Sequence, residues 1–151
     1  AGSEQIYVSR TCDDVNAVET SDDTTQVSRG EGEHGHPAIA IDGAGVLYVA
    51  WEENVRGNWD VCVAVSPDGS MWSEPKRIVD SDSNQRSPAI SAGEQPDEPV
   101  TIAWQDDRDG TEDVYMATST DAFLHVEISV IPSDVETDPA DKPVNGSSKK
   151  K

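Results

Sequence analysis

The chain is short of cysteine, lysine and phenylalanine, and it has no long apolar run. Its 151 residues include two cysteines, Cys12 and Cys62. Two thiols make neither a zinc cluster nor a disulfide framework. No apolar stretch nears the roughly 18 residues of a membrane-spanning helix, so no membrane insertion is expected. Lys76 and Lys142 are the only lysines outside the terminal Lys149, Lys150 and Lys151. Lys plus Arg is 11 against 30 Asp plus Glu, a net charge of −19. Nucleic acids and anionic membrane surfaces are bound through Lys and Arg that neutralise phosphate, so neither is an expected partner. An acidic, lysine-poor surface favours solubility, bound cations and cationic partners, and suits high-salt or calcium-rich surroundings. Sustained 3.6-residue periodicity with helix caps is also missing, and almost no helix is expected.

What the chain does have is a repeat. "AWEENVRGNWDVCVAVSPDG" (50–69) aligns without a gap on "AWQDDRDGTEDVYMATSTDA" (103–122), at an offset of 53 with eight of twenty positions identical. Trp51 falls on Trp104, Gly57 on Gly110, Asp60 on Asp113 and Asp68 on Asp121. Upstream, "PAI" occurs at Pro37 and again at Pro88, and the smaller offset implies a longer hairpin loop in the second copy. A partial third copy, "QIYVSRTCDD" (5–14), puts Asp13 opposite Asp68. Within one repeat, "PAIAI", "VLYVAWEE", "WDVCVAVS" and "PKRIVD" read as four strands. "DGAG" supplies a hairpin turn, and Val61, Val63 and Val65 lie on one strand face with Cys62, Ala64 and Ser66 on the other. Four antiparallel strands in about fifty residues form one blade of a β-propeller.

The predicted fold class is therefore all-β, with about two and a half four-stranded antiparallel propeller blades. The expected domain spans 1–133, with a partial blade at 4–30, a blade at 34–81 and a blade at 86–133. A polar tail or linker follows at 134–151. Propellers close with about four to eight blades. Two and a half leave open edges and bare apolar faces. The shortage is met by further blades of a larger chain, by copies that assemble into a ring or filament, or by sheets packed as an open sandwich.

"SPDGSMW" (66–72) resembles the Asp box, Ser-x-Asp-Gly-x-x-Trp, of the bacterial neuraminidase repeats in sialidase-like β-propellers. "AWQDDRDGTEDVYMATSTD" resembles the second-to-third strand segment of secreted members of that family. The resemblance runs from about Gln5 to Asp134 and implies a secreted, extracellular or cell-surface protein. It also implies a structural hairpin, away from the family's catalytic face, for Ser66, Asp68, Gly69 and Trp72, with degenerate copies at Asp121 and Asp13. The physics agrees. Aspartate accepts backbone N–H bonds within its own turn, glycine takes a positive φ, and tryptophan caps the hairpin. In the second copy Ala122 stands in the glycine position and Phe123 near the tryptophan position. Family catalysis uses three arginines on a carboxylate, a Tyr–Glu nucleophile pair and an aspartic acid. None of the six arginines here lies in an Arg-Ile-Pro motif, and Tyr7 and Tyr115 occupy equivalent strand positions as packing residues do.

Four further features carry candidate chemistry. "QDDRDGTED" (105–113) is the densest carboxylate run, and Asp106, Asp107, Asp109 and Asp113 are the candidate calcium ligands. It is no EF-hand, because Met116 stands where a bidentate Glu is needed. The alternative is a charged hairpin tip with Asp107–Arg108 surface pairing. "GEHGHP" offers Glu33, His34 and His36 as transition-metal ligands or as a solvated loop. Trp59 is the candidate sugar-stacking platform, whereas the equivalent Trp51 and Trp104 read as core. Cys12 and Cys62 sit on equivalent strands but roughly 17 Å apart along them, which leaves free thiols, an intermolecular bond or, with shifted register, an intramolecular one.

The reading of the sequence is a non-catalytic secreted module for surface adhesion or self-assembly, with a homo-oligomer or filament subunit as its sharper form. The expected partners are further copies, remaining blades or glycans. The alternatives are a fragment of a sialidase-like glycoside hydrolase and a calcium- or carbohydrate-binding lectin-like module.

Overall fold

The computed structural model describes residues 3–10, 23–95 and 97–131. The expected tail at 134–151, and Cys12 and Asp13, lie outside the described residues. Those residues form ten strands and no helix. The strands are β1 (Tyr7–Arg10), β2 (Asp23–Gln26), β3 (Glu33–Ile41), β4 (Leu47–Asn54), β5 (Asp60–Ser66), β6 (Lys76–Arg77), β7 (Gln85–Ser91), β8 (Val100–Asp106), β9 (Asp113–Ser119) and β10 (Glu127–Ile131). They make an antiparallel ribbon, β1-β2, and two four-stranded antiparallel sheets ordered β3-β4-β5-β6 and β7-β8-β9-β10. In the two four-stranded sheets each neighbour is the next strand in the chain, so every link there is a hairpin.

The three layers stack in chain order. Ile6 and Val27 of the ribbon region pack on Val49, Trp51, Cys62 and Ala64 of the middle sheet. The opposite face of that sheet, with Tyr48, Ala50, Val61 and Val63, packs on Ile102, Trp104, Tyr115 and Ala117 of the third. Covering on both faces explains why β4 and β5 are buried almost continuously. A strand with one covered face alternates instead, as β8 and β9 do. Trp51 and Trp104 are both core residues, and each indole N–H reaches a carboxylate two residues on: Glu53 at 3.3 Å and Asp106 at 3.0 Å.

One expectation needs correction. "GEHGHP" is not a solvated loop, because β3 begins at Glu33 and His34 is buried. Its polar composition hides a strand whose buried His34 faces the carbonyls of Glu4 and Arg29. The fourth strand of the first full repeat is short as expected, Lys76–Arg77, and the Ile78 N–H bonds Val61 O at 2.9 Å. Tyr115 is buried as expected, but its equivalent Tyr7 is 57% exposed, since no layer lies beyond the ribbon among the described residues.

The "DGAG" hairpin touches the matching loop of the third sheet. The Gly43 N–H donates to Gly93 O at 3.1 Å, and a Cβ on Gly43 would fall 1.5 Å from Glu94 O. Glycine is required there by close approach of two backbones. Gly43→Ala is expected to cost about 1–3 kcal/mol through overpacking, visible as a lowered thermal unfolding midpoint. An unchanged midpoint would show that the two loops do not bear on each other.

Candidate functional site

The repeat carries a bulge. Register shifts between Gly35 and Ala38 in β3, and between Arg86 and Ala89 in β7. His36 (φ 48°) and Ser87 (φ 54°) occupy the same place in the two bulges, both in the left-handed region. A bulge bends its strand and re-aims side chains. Here it turns Arg86 and the Ser87 amide back towards the middle sheet.

Glu52 receives them. Its buried carboxylate accepts from the Ser87 N–H at 2.6 Å and from Arg86 Nη2 at 3.0 Å, and it lies 2.9 Å from His36 Nδ1. Burial alone would raise the Glu52 pKa. The bonds from Arg86, Ser87 and His36 outweigh it and hold the carboxyl below its usual range. The Arg86 guanidinium stacks over Trp59, 4.3 Å from the ring centroid, a cation–π contact. Next to them, the two ring nitrogens of His34 face the carbonyls of Glu4 (3.0 Å) and Arg29 (3.2 Å). A neutral imidazole can donate to only one of those two.

These groups line a cleft of about 720 Å³ that includes Glu33, His36, Glu52, Trp59 and Arg86. It opens at the Asn54 end of the middle sheet. The Asp68 hairpin follows Ser66, which pairs with Leu47 at the other end. So the structure gathers His34, His36, Glu33 and Trp59 around Glu52 and Arg86. Composition and spacing did not single out the last two. The signal was there in the repeat: Glu52 aligns with Gln105, a charge changed at an otherwise similar position.

The carboxylate run at 105–113 is dispersed rather than gathered. Buried Asp106 pairs with Arg108 and accepts from the Trp104 indole and the Ser83 hydroxyl. Burial raises the Asp106 pKa, but the Arg108 and Trp104 bonds bring it below the ordinary range. Asp107 takes the backbone and side-chain N–H groups of Asn84, each at 2.8 Å. Asp109 accepts from the Tyr115 hydroxyl, and Asp113 from Thr111 at 3.1 Å. The surface pairing of Arg108 is thus with Asp106 and not Asp107, because the guanidinium also lies over the Tyr115 ring, 4.1 Å from its centroid. Among the described residues, no three His, Cys, Asp or Glu side chains converge as a metal-binding group. Cys62 is a buried free thiol, and burial pushes its pKa up, which keeps it protonated and unreactive.

In the "SPDGSMW" hairpin, Asp68 Oδ1 accepts from the N–H groups of Ser70 (2.8 Å) and Met71 (3.0 Å). Ser66 Oγ accepts from the Gly69 N–H at 2.8 Å, and the Trp72 indole N–H bonds Gly69 O at 3.3 Å. Trp72 packs on the ribbon-side cluster. The second hairpin repeats the plan with Ser119, which sequence reasoning left out. Its Oγ accepts from the Phe123 N–H (2.9 Å) and donates to Asp121 (2.8 Å). Bonds from the His125 backbone and ring and from Ser119 hold the Asp121 carboxyl well below its usual range. Phe123 does not take the tryptophan's place. It turns inward to full burial, edge-on to Tyr48 with centroids 6.3 Å apart.

Two outcomes follow from this geometry. Gly69 has φ 76° and its counterpart Ala122 has φ 55°. Relieving that left-handed alanine with Ala122→Gly is expected to stabilise the fold by about 0.5–1 kcal/mol, after the chain-entropy cost of glycine. A drop in denaturant midpoint would contradict it. Glu52 has a folded pKa below its unfolded one, so its contribution is fully present above about pH 4 and is lost as pH falls through the folded value. Glu52→Gln should lower the unfolding midpoint at pH 7 and shrink the loss between neutral and acid. Parallel curves for the two proteins would remove Glu52 from the pH response.

No protein-family model matches the chain, and no curated protein matches it, so its function is read from the geometry above.

Proposed function

We propose that the chain is a non-catalytic, secreted module of the sialidase-like β-propeller kind. Its layers are propeller blades, and the sheet face left uncovered among the described residues serves assembly or adhesion. One observation carries this reading. The third sheet leaves Thr101, Ala103 and Gln105 of β8 and Val114, Met116 and Thr118 of β9 facing away from the core. By the offset of 53 these align with Tyr48, Ala50, Glu52, Val61, Val63 and Val65, the face of the middle sheet that receives the third. The β8 and β9 positions of that face carry no charge, in a chain with 30 acidic residues; Glu127 of β10, opposite Thr118, places one carboxylate at its margin. Charge is kept off surfaces that become buried in an interface core.

The glycoside hydrolase reading draws less support. The cleft at Glu52 is lined by one arginine, Arg86, and no tyrosine, where the family's chemistry asks for three and one. The lectin-like reading would use Trp59, but Arg86 already lies over that ring.

The covering layer comes from a second copy or from further blades of a longer chain. Copies with net charge −19 repel one another at low salt, and salt screens that repulsion. Light scattering on the chain is expected to show association that grows with concentration and ionic strength. Met116→Asp should abolish it while leaving the unfolding midpoint nearly unchanged. A monodisperse monomer at high salt would sink the self-assembly form of the proposal.

A further inference from the structure

The hairpins that follow β5 and β9 are equivalent in the repeat, and the offset of 53 places Met71 on Leu124. Both side chains face solvent. Met71 is 70% exposed and Leu124 74%, more than any other large apolar residue among those described. Their backbones are nevertheless fixed. The Met71 N–H donates to Asp68 Oδ1 at 3.0 Å, and the Leu124 N–H to Asp121 O at 3.2 Å. Two apolar side chains at one repeat position, each held out on a clasped turn, form a preorganised contact surface.

The two hairpins also meet. Lys76, at the start of β6, reaches across the junction, and its ammonium donates to Phe123 O and to Leu124 O, the latter at 3.2 Å. That bridge ties the hairpin of the third sheet to the middle sheet. Between the hairpins lies a groove of about 450 Å³, with Val65, Pro67, Met71 and Trp72 on one side and Ala122 and Leu124 on the other. Its polar groups are already engaged. The Ser73 hydroxyl accepts from the Val65 N–H at 3.0 Å and donates to Glu74 O at 3.1 Å, and the Trp72 indole N–H is on Gly69 O. An apolar occupant suits that floor. Charge narrows the choice. Residues 66–74 and 119–127 hold Asp68, Glu74, Asp121 and Glu127 and no Lys or Arg. Glu74 has its side chain 85% exposed, in a 3.9 Å ion pair with Arg29. The apolar floor thus has acidic flanks, in a chain of net charge −19. A second copy would bring like charge to like. The groove is also small for a globular face, since a standard interface takes roughly 20–30 residues a side.

We propose that this groove docks a short segment of a second protein, one that carries one or two large apolar anchors flanked by lysine or arginine. The anchors fill the space between Met71 and Leu124, against Trp72, as buried side chains do at the centre of an interface. The flanking cations face Glu74 and the other acids of the two hairpins, which steers the encounter. This surface is separate from the open face of the third sheet, and the inference does not rest on self-assembly.

The test is a titration of the whole chain with a labelled peptide that alternates Lys-Lys with Leu-Phe, read by fluorescence anisotropy and by NMR of the methionine methyls. The chain has two methionines, Met71 in the groove and Met116 on the third-sheet face, so each surface reports for itself. Saturable binding is expected, with the Met71 methyl shifting and the Met116 methyl still. Added salt should weaken the binding, the reverse of its effect on self-association. Leu124→Asp should weaken it by about tenfold or more, although the change adds an acid to an acidic rim. Leu124 is exposed, so its variant should keep the parent's unfolding midpoint. Met71→Asp, read by anisotropy, should show the same loss. Met116→Asp separates the two readings: it should stop association and bind the peptide like the parent. No saturable binding overturns the proposal. So does equal affinity for a peptide with Ser-Ser in place of Leu-Phe, or with Glu-Glu in place of Lys-Lys. Equal binding by Leu124→Asp, or a shift confined to Met116, puts the peptide elsewhere and overturns it too.

Discussion

Ala50 and Val63 from one sheet share a dry layer with Ile102, Trp104 and Ala117 from the next. Each large side chain buried there contributes about 1.5–3 kcal/mol. No single sheet could recover that on its own, because each has a second face to cover. The requirement passes along the chain: the middle sheet is satisfied by the ribbon and the third sheet, while among the described residues the third is covered on one side only. Side-chain choice follows. Apolar residues fill β4 and β5 nearly without interruption, and β8 and β9 revert to alternation.

Polar groups at the margin of that layer fix how the sheets meet. Apolar faces slide on each other at little cost, whereas a buried carboxylate must be met by donors. Glu52 is met by a backbone amide that only the β7 bulge presents and by a guanidinium braced on Trp59. Asp107 does similar work with Asn84, whose side-chain oxygen also accepts the backbone N–H of Trp59 at 3.2 Å. The cleft between the sheets is a by-product of this junction. Within it Glu52, Arg86 and His36 are engaged with one another, which gives the junction positional order.

Much of the architecture was legible because it is local. Alternation, hairpin turns and the offset of 53 placed β4, β5, β8 and β9 within a residue or two. The equivalence of Trp51 and Trp104 correctly read as core. What was not legible depends on contacts between layers. His34 looks like a loop residue until the ribbon carbonyls that receive it are in place. Arg108 looks like a surface partner for Asp107 until Trp104 and Tyr115 fix the position of Asp106. Ser119 went unremarked because its neighbours Ala122 and Phe123 break the motif, although the hydroxyl closes the turn as Ser66 does. The Glu52 cluster joins residues 34 or more positions apart, and no window along the chain contains it.

Among the described residues the layers touch only their neighbours in the stack, and that arrangement sets an order of loss. There the ribbon and the third sheet each hold on through one face, while the middle sheet holds through two. Cooperative units coupled only to their neighbours fray from the ends. Opening should therefore begin at β1–β2 or β10 and reach β4 and β5 last. The middle sheet is the part that survives partial unfolding, and a partner that covers either end protects the whole stack by closing the side from which it comes apart.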